Sequence, residues 1–553
     1  MRDQHDIQTR TDTRKHRPDL WIALVLAAFS LGITFWWLAI HVRTTFDDGF
    51  YYLKIAQNIA LGNGSTFDGI HPTNGYQPLW LVCLVPLFWI SADPASAQNL
   101  ATLLQGALFA ASVVLLYSAL RLRAGRSAAS LGALLWIMLQ NYQALGGMEF
   151  SLHALGVFAI AYVYLRYFAD HHPVAARAYF ALGLLSTLTI LARLDTILLA
   201  FGIGLFLAHD HWRRGLDRAR VAYLIAFALP ILAGASAYAG LNWLYFGHPF
   251  PVSGLVKQMW SNALLSQDSV YLKWGWLAAK LHLLVWGPRY LAASHEISQV
   301  LFALAFAIGA FGAPLLWIAG LAKRGPARLV EWLDRTTGRL GPLVLYSALS
   351  CLSYVVLYHG YLSFSRWYFV IQIWLALMLF SNVFDQTFRM ARSWIEQRNS
   401  RLRRLVEIVA VGVWLSVPVY TIRGLWLASI WGYPPIDLQM AAAHWISTNV
   451  PAGATIGAWN AGVLGYYSDH RVINLDGLVN SWDYFQRQQY QLCAYWQKND
   501  ITYIADWFRD QEPLAPIPFY PHYASCASRL ELVWSQRIPG NTWGVDVYHI
   551  LPP

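Results

Sequence analysis

Residues 20–42, LWIALVLAAFSLGITFWWLAIHV, form a run of 23 residues without a Lys, Arg, Asp or Glu. About 20 such residues suffice to cross a bilayer as a helix. In lipid every backbone N–H and C=O must be satisfied within the segment, so a run of this kind is committed to helix. Comparable runs recur at roughly 97–120, 127–144, 149–166, 176–192, 194–208, 221–246, 297–322, 341–359, 365–385 and 405–428, which makes eleven. The chain therefore reads as an α-helical polytopic membrane protein. Its composition agrees, because 57% hydrophobic and 13% charged residues exclude an ordinary soluble globule. Its 27 tryptophans suit interfacial belts. Nothing at the N-terminus resembles a cleaved signal: the first residues are charged, no small-residue cleavage site follows, and span 20–42 is long enough to stay as an anchor.

The formal charge of +10 is distributed as topology rather than as a nucleic-acid surface. Arg10, Arg14, Lys15 and Arg17 precede the first span and place residues 1–19 in the cytoplasm by the positive-inside rule. Arg121, Arg123 and Arg126 then fall inside only if the apolar run Leu79–Ile90 does not cross. That run is short and contains Pro86, so it is expected as a juxtamembrane helix on the outer surface. Every later basic loop then agrees: Arg166 with Arg177, Arg213 to Arg220, Lys323 to Arg339, and Arg389 to Arg404. The transmembrane domain is expected over 20–428, with outer loops at 43–96 and 247–296. Hydropathy falls over 429–553, where a helix from Asp437 to Asn449 and strands near 454–459, 471–475, 502–505, 530–538 and 543–550 suggest a small extracytoplasmic α/β domain. No internal repeat is visible.

Polar residues concentrate just after the first span, in TTFDDGFYYLKIAQNIALGNGSTFDGIHPTNGYQP. Asp47 and Asp48 open a helical pattern in which Tyr52, Ile55, Ala56, Ile59 and Ala60 share a face, and Gly62 and Gly64 end it. His71, Asn74 and Gln77 follow, either as turn residues or as acceptor contacts. Charges at the edge of membrane spans are costly and usually functional. On this topology Glu149, Arg193, Asp195, Lys257, Arg289 and Arg366 all reach the same outer boundary as the aspartate pair. Each has a structural alternative: Lys257 and Arg366 as snorkelling cations, Arg193 and Asp195 as an ion pair closing a turn, and Asp47 and Asp48 as the acidic start of a surface helix. Neighbouring helical residues point about 100° apart, so the two aspartates are not expected to do the same job.

A carboxylate facing several cations at a membrane surface suits one reaction. An aspartate takes the proton from an acceptor hydroxyl, while arginine and lysine hold the phosphate of a lipid-linked sugar as charge builds on it. Phosphate leaves without a general acid, and attack from the opposite face inverts the anomeric centre.

At these residues the chain resembles the GT-C superfamily of integral membrane glycosyltransferases that use polyprenyl-phosphate sugars. The superfamily includes dolichyl-phosphate-mannose mannosyltransferases, aminoarabinose transferases and mycobacterial arabinofuranosyltransferases. The resemblance runs through DDGFYYLKIAQNIALGNG, PLWLVCLVPLFWI, GMEF, LARLD, FGHPFPVSGLVKQ and GAWNAGVLGYYSDHRVINLDGLVN, and covers essentially the whole chain. It implies a GT-C type fold with two juxtamembrane helices in the first outer loop. It also implies Asp47 as base, a polyprenyl-phosphate-linked donor, and a glycan, lipid or protein acceptor. No cofactor is expected, and the scattered histidines have no ligand spacing, so no metal is expected either. The competing readings are a transporter or flippase of lipid-linked sugars and a non-catalytic envelope-assembly subunit. Cys493 and Cys526 both fall in the tail, where a disulfide and two buried free thiols are equally compatible with the sequence.

Overall fold

The structure is a computed structural model. It describes residues 2–40, 45–169, 174–266, 340–357, 366–396, 400–431, 434–487, 491–509, 526, 528–538 and 543–552. Among these, seven helical stretches are long and apolar enough to cross a membrane: Asp19–Ala39, Pro94–Arg121, Phe150–Phe168, Leu194–Arg213, Arg218–Phe246, Val370–Met390 and Glu407–Trp426. Three further expected spans are helices that are shorter or less apolar, Arg126–Ala144, Ala176–Ala192 and Gly341–Leu357. The run 297–322 lies outside the described residues.

The chain folds as α1 (Arg2–Ala39), α2 (Asp47–Ala60), α3 (Pro78–Ile90), α4 (Pro94–Arg121), α5 (Arg126–Ala144), α6 (Phe150–Val163), α7 (Ala176–Ala192), α8 (Ile197–Arg213), α9 (Arg218–Phe246) and α10 (Val252–Ser266). Local chemistry sets several boundaries. Asp93 caps α4 by accepting from the Ser96 N–H, with Pro94 at the first helical position. Asp217 caps α9 in the same way through Arg220, and Gly247 ends it at φ 75°. The outer faces of the bundle stay apolar: Leu229, Leu232, Leu241 and Leu244 on α9 are all more than half exposed, as a lipid-facing surface requires.

Asp19 settles whether α3 crosses. It stands at the start of the first span and accepts from Arg121 Nε at 3.1 Å and Arg126 Nε at 2.9 Å. The 121–126 loop therefore lies at the end of the bundle where α1 begins. The chain between Ala39 and Pro94 leaves and re-enters at the opposite end. α3 has 13 residues, about 20 Å of helix against a hydrocarbon core of about 30 Å. It stays at that end, beside α2.

Beyond α11 (Gly341–Leu357), α12 (Val370–Glu396) and α13 (Ser400–Trp431), the tail adds α14 (Pro434–Asn449), β1 (Thr455–Ala458), α15 (Gly462–Tyr467), β2 (Arg471–Asn474), α16 (Trp482–Gln486), α17 (Leu492–Lys498), β3 (Ile501–Arg509), β4 (Leu530–Arg537) and β5 (Trp543–Ile550). The sheet order is β2-β1-β3-β5-β4. β1 runs parallel to β2 and β3, whereas β5 runs antiparallel to β3 and β4. Cys493 and Cys526 are joined as a disulfide. The turn at 539–542 lies outside the described residues.

Three apolar cores result among the described residues, one of them inside the tail around Ile473, Tyr484, Trp496 and Ile504. Another fills the helix bundle. The third joins the first-loop helices, through Phe50, Leu53, Trp80 and Leu84, to the tail through Ala442, Val463, Leu464 and Val547. The tail is thus packed onto α2 and α3 rather than carried on a linker.

Candidate active site

α2 carries two stripes. Asp47 and Tyr51, one turn apart, face the tail. The Asp47 carboxylate accepts from the backbone N–H of Val463 at 2.9 Å and of Gly462 at 3.2 Å, and from Gln439 Nε2 at 3.3 Å. Tyr51 donates to the Trp459 carbonyl at 3.0 Å and accepts from the Ala461 N–H at 3.3 Å. Asp48, Tyr52 and Ile55 form the second stripe and line a cavity, which Tyr51 also borders. The two aspartates therefore point to different places, as the 100° step between helical neighbours requires. The start of α2 is held close to the loop before α6: a Cβ on Gly49 would lie 2.7 Å from the Gly146 carbonyl, and Gly147 adopts φ 85° beside it.

The rest of the cavity wall comes from Gly75, Tyr76, Gln77, Met148, Glu149, Arg193, Ser253, Lys257 and Tyr368, with Leu478 and Val479 supplied by the tail. Its charged groups are braced. Glu149 accepts from Tyr52 Oη at 2.9 Å and from Arg193 Nη1 at 3.3 Å. Arg193 Nε donates to both oxygens of Asp195 at 3.0 Å, and Tyr354 Oη donates to the same carboxylate. The guanidinium lies 4.5 Å from the centre of the Tyr368 ring. Lys257 Nζ donates to Tyr368 Oη at 3.0 Å. The amide of Gln77 bridges the first loop to the α7–α8 turn, since its Oε1 accepts from the Leu194 N–H at 3.1 Å.

Their partners separate the two cations. Arg193 is only 5% exposed and ion-pairs with Glu149 and Asp195. Lys257 donates to the Tyr368 hydroxyl and lies near enough to Asp48 to favour its ionised form.

Burial pushes the Asp48 carboxyl above its ordinary range, and the positive charge of Lys257 pulls it back. Asp47 is pushed up to about 7, first by burial and then by the neighbouring charges of Asp48 and Asp506, against its backbone hydrogen bonds to Val463 and Gly462. Asp476 in the tail is raised well above the carboxylate range by burial and by the same pair of aspartates.

Of the residues singled out in the sequence, Asp48, Gln77, Glu149, Arg193 and Lys257 meet at one cavity, with Asp195 directly behind Arg193. Asp47 faces the tail. Asn74 is buried as a clamp, donating to the Phe250 carbonyl at 3.0 Å and accepting from the Val252 N–H at 3.0 Å. His71 pairs with Asp68 at 2.5 Å, beside Tyr495 of the tail. Arg366 begins the short turn Arg366–Phe369 that presents Tyr368; its side chain and all of Arg289 lie outside the described residues. Tyr51, Tyr52, Ser253, Tyr368, Leu478 and Val479 were not anticipated as lining residues. The tyrosine pair in DDGFYY, at helical spacing from the aspartates, was the available signal for Tyr52.

This arrangement of helices, first-loop juxtamembrane pair and terminal sheet domain is a GT-C type fold in a multi-pass membrane protein. The apo oligosaccharyltransferase of Archaeoglobus fulgidus is similar with a TM-score of 0.53 at 12% identity, over 97% of this chain and 75% of that one. The oligosaccharyltransferase AglB from the same organism, in complex with an inhibitory peptide and a dolichol-phosphate, is similar with a TM-score of 0.51 at 12% identity, over 97% and 74%. ArnT from Cupriavidus metallidurans bound to undecaprenyl phosphate is similar with a TM-score of 0.47 at 13% identity, over 96% and 97%. A family model described as a domain of unknown function (DUF8728) matches residues 433–545. No curated protein matches the sequence.

Proposed function

We propose that the chain is an inverting glycosyltransferase that moves one sugar from a polyprenyl phosphate to an acceptor on the outer side of the membrane. One observation carries the reading: a half-buried carboxylate, Asp48, and a lysine, Lys257, line the same cavity at the membrane-boundary end of the bundle. The GT-C type fold supports it, and so does the dolichol-phosphate held by the archaeal neighbour. Arg121 and Arg126 lie with Asp19 at the opposite end, which supports an outward-facing site. A transporter of lipid-linked sugars would instead be expected to hold its polar site near the bilayer midplane.

In this mechanism the acceptor hydroxyl attacks the anomeric carbon from the face opposite the phosphate. The carbon–oxygen bond to phosphate breaks, and polyprenyl phosphate leaves with the bonding electrons. Asp48 takes the hydroxyl proton as the new bond forms. Lys257 and Arg366 meet the charge that builds on the departing phosphate. Arg193 is braced by Glu149 and Asp195 and keeps the wall in place. Asp48, rather than Asp47, is assigned as base because it lines the cavity, whereas the oxygens of Asp47 are occupied by tail donors. The acceptor is a cell-envelope glycan, lipid or protein. The test is to incubate purified protein with a panel of polyprenyl-phosphate sugars and candidate acceptors and to measure released polyprenyl phosphate. Release with at least one donor is expected; no release or transfer across the whole panel would contradict the reading.

A further inference from the structure

The tail segment that roofs the cavity is built as a rigid loop. The Asn474 side-chain oxygen accepts from the Gly477 N–H at 3.0 Å, and Asp476 Oδ1 accepts from the Leu478 N–H at 2.7 Å. Tyr484 Oη donates to the Leu475 carbonyl at 2.5 Å, and Gly477 turns at φ 85°. The loop lies directly against the first outer loop: a Cβ on Gly75 would come 1.8 Å from the Leu478 carbonyl oxygen. Leu478 and Val479 thereby enter the cavity wall opposite the charged groups.

What fixes this roof over Asp48 is the other stripe of α2. The backbone N–H groups of Gly462 and Val463 open α15 and need an acceptor that α15 cannot supply itself. Asp47 supplies it from another domain, 415 residues earlier in the chain. The approach is close, because a Cβ on Gly462 would lie 2.1 Å from the Asp47 carbonyl oxygen. Tyr51, one turn along, reaches the same tail segment through Trp459, Ala461 and Asp476. Asp48 is the next residue after Asp47, so any displacement at the cap is passed straight to the cavity carboxylate.

We infer that Asp47 is a positioning residue: it latches the carboxy-terminal domain onto α2, so that Leu478 and Val479 close the cavity over Asp48. The matched domain at 433–545 is thus a fixed roof of the site rather than a separate acceptor-binding module. The latch itself does not depend on the transferase reading, whereas its effect on turnover rests on that reading.

The test is amide hydrogen exchange on the full-length protein in nanodiscs, read over residues 462–467 and 475–480, with turnover measured in parallel. Asp47→Ala should raise exchange in both segments roughly tenfold or more, as expected for loss of the two hydrogen bonds from the Gly462 and Val463 N–H groups. Asp47→Asn retains one acceptor oxygen and should fall between Asp47→Ala and the parent. Gly462→Ala keeps both carboxylates and forces the cap apart, so it should reproduce the exchange and the turnover loss of Asp47→Ala; it also keeps the test decisive if Asp47→Ala does not fold. Asp48→Asn should leave exchange unchanged. Parent-like exchange in Asp47→Ala and Gly462→Ala would overturn the latch. So would an Asp47→Asn protein with parent-like exchange and no turnover, since that result makes Asp47 the base. If no form of the protein transfers sugar but exchange still follows the latch variants, the transferase reading fails and the latch stands.

Discussion

Replacing Lys257 by methionine separates two jobs that the geometry gives to one ammonium group. Met preserves the apolar stem and removes the charge that lies 3.0 Å from Tyr368 Oη. The first effect falls on the donor. A hydrogen bond to a charged group contributes about 1.5–3 kcal/mol, and each 1.36 kcal/mol is tenfold, so the donor KM should rise roughly ten- to hundredfold. The second effect falls on Asp48. Burial holds its carboxyl above the ordinary range and Lys257 opposes that, so without Lys257 the carboxyl moves further up. A base must be ionised, so the acid limb of the rate profile should shift to higher pH, and part of the lost rate should return as pH is raised. The donor KM should stay high throughout. The assay is steady-state release of polyprenyl phosphate across a pH series, with donor concentration varied at each point. A Lys257→Met protein with parent-like KM and an unmoved acid limb would refute the reasoning and make Lys257 an interfacial anchor.

Three further outcomes follow from the same geometry. Arg193→Ala leaves Glu149 and Asp195 facing each other in a buried site and should destabilise the protein by about 3–5 kcal/mol, seen as a lower thermal midpoint in detergent; an unchanged midpoint would show that the three groups are not a structural unit. Asp47 has its carboxyl raised to about 7 in the docked state, so its contribution to docking is fullest below the ordinary carboxylate range and is lost as pH rises through about 7. Asp48, Asp506 and Asp476 are the acidic groups facing it, and Asp47→Asn should flatten the pH dependence of tail exchange; an undiminished dependence would assign it to those neighbours. Single cysteines at positions 64 and 84 should be labelled from outside intact cells, and those at 123 and 401 should not; outside labelling at 123 would contradict the non-crossing placement of α3.

Much of the fold was legible because bilayer physics leaves few options. Run length, basic loops and Pro86 already argued that Leu79–Ile90 does not cross, and the Asp19 pairs with Arg121 and Arg126 agree. The tail strands were visible as short apolar runs between turn residues. The expected topology put Asp48, Glu149, Arg193 and Lys257 on the same side, at the outer boundary, but did not show that they share a cavity. Nor did it show their division of labour. Asp47 and Asp48 are chemically identical, and what distinguishes them is a pair of backbone donors at Gly462 and Val463, far along the chain. Asn74 could be read as a turn residue, but its grip on Phe250 and Val252 depends on a tertiary contact that no local pattern encodes. Tyr368 was hidden for the opposite reason, because one aromatic among many at a membrane boundary carries no signal until a lysine and an arginine meet on it.

The central claim is that Asp48 removes the acceptor proton during sugar transfer from a polyprenyl phosphate. The most direct measurement is single-turnover transfer by Asp48→Asn with saturating donor, alongside donor binding to the same protein. Asn keeps the size of the side chain and removes its basicity. The account predicts normal donor binding and a rate lowered roughly 10²–10⁴-fold. Near-parent turnover by Asp48→Asn would contradict it.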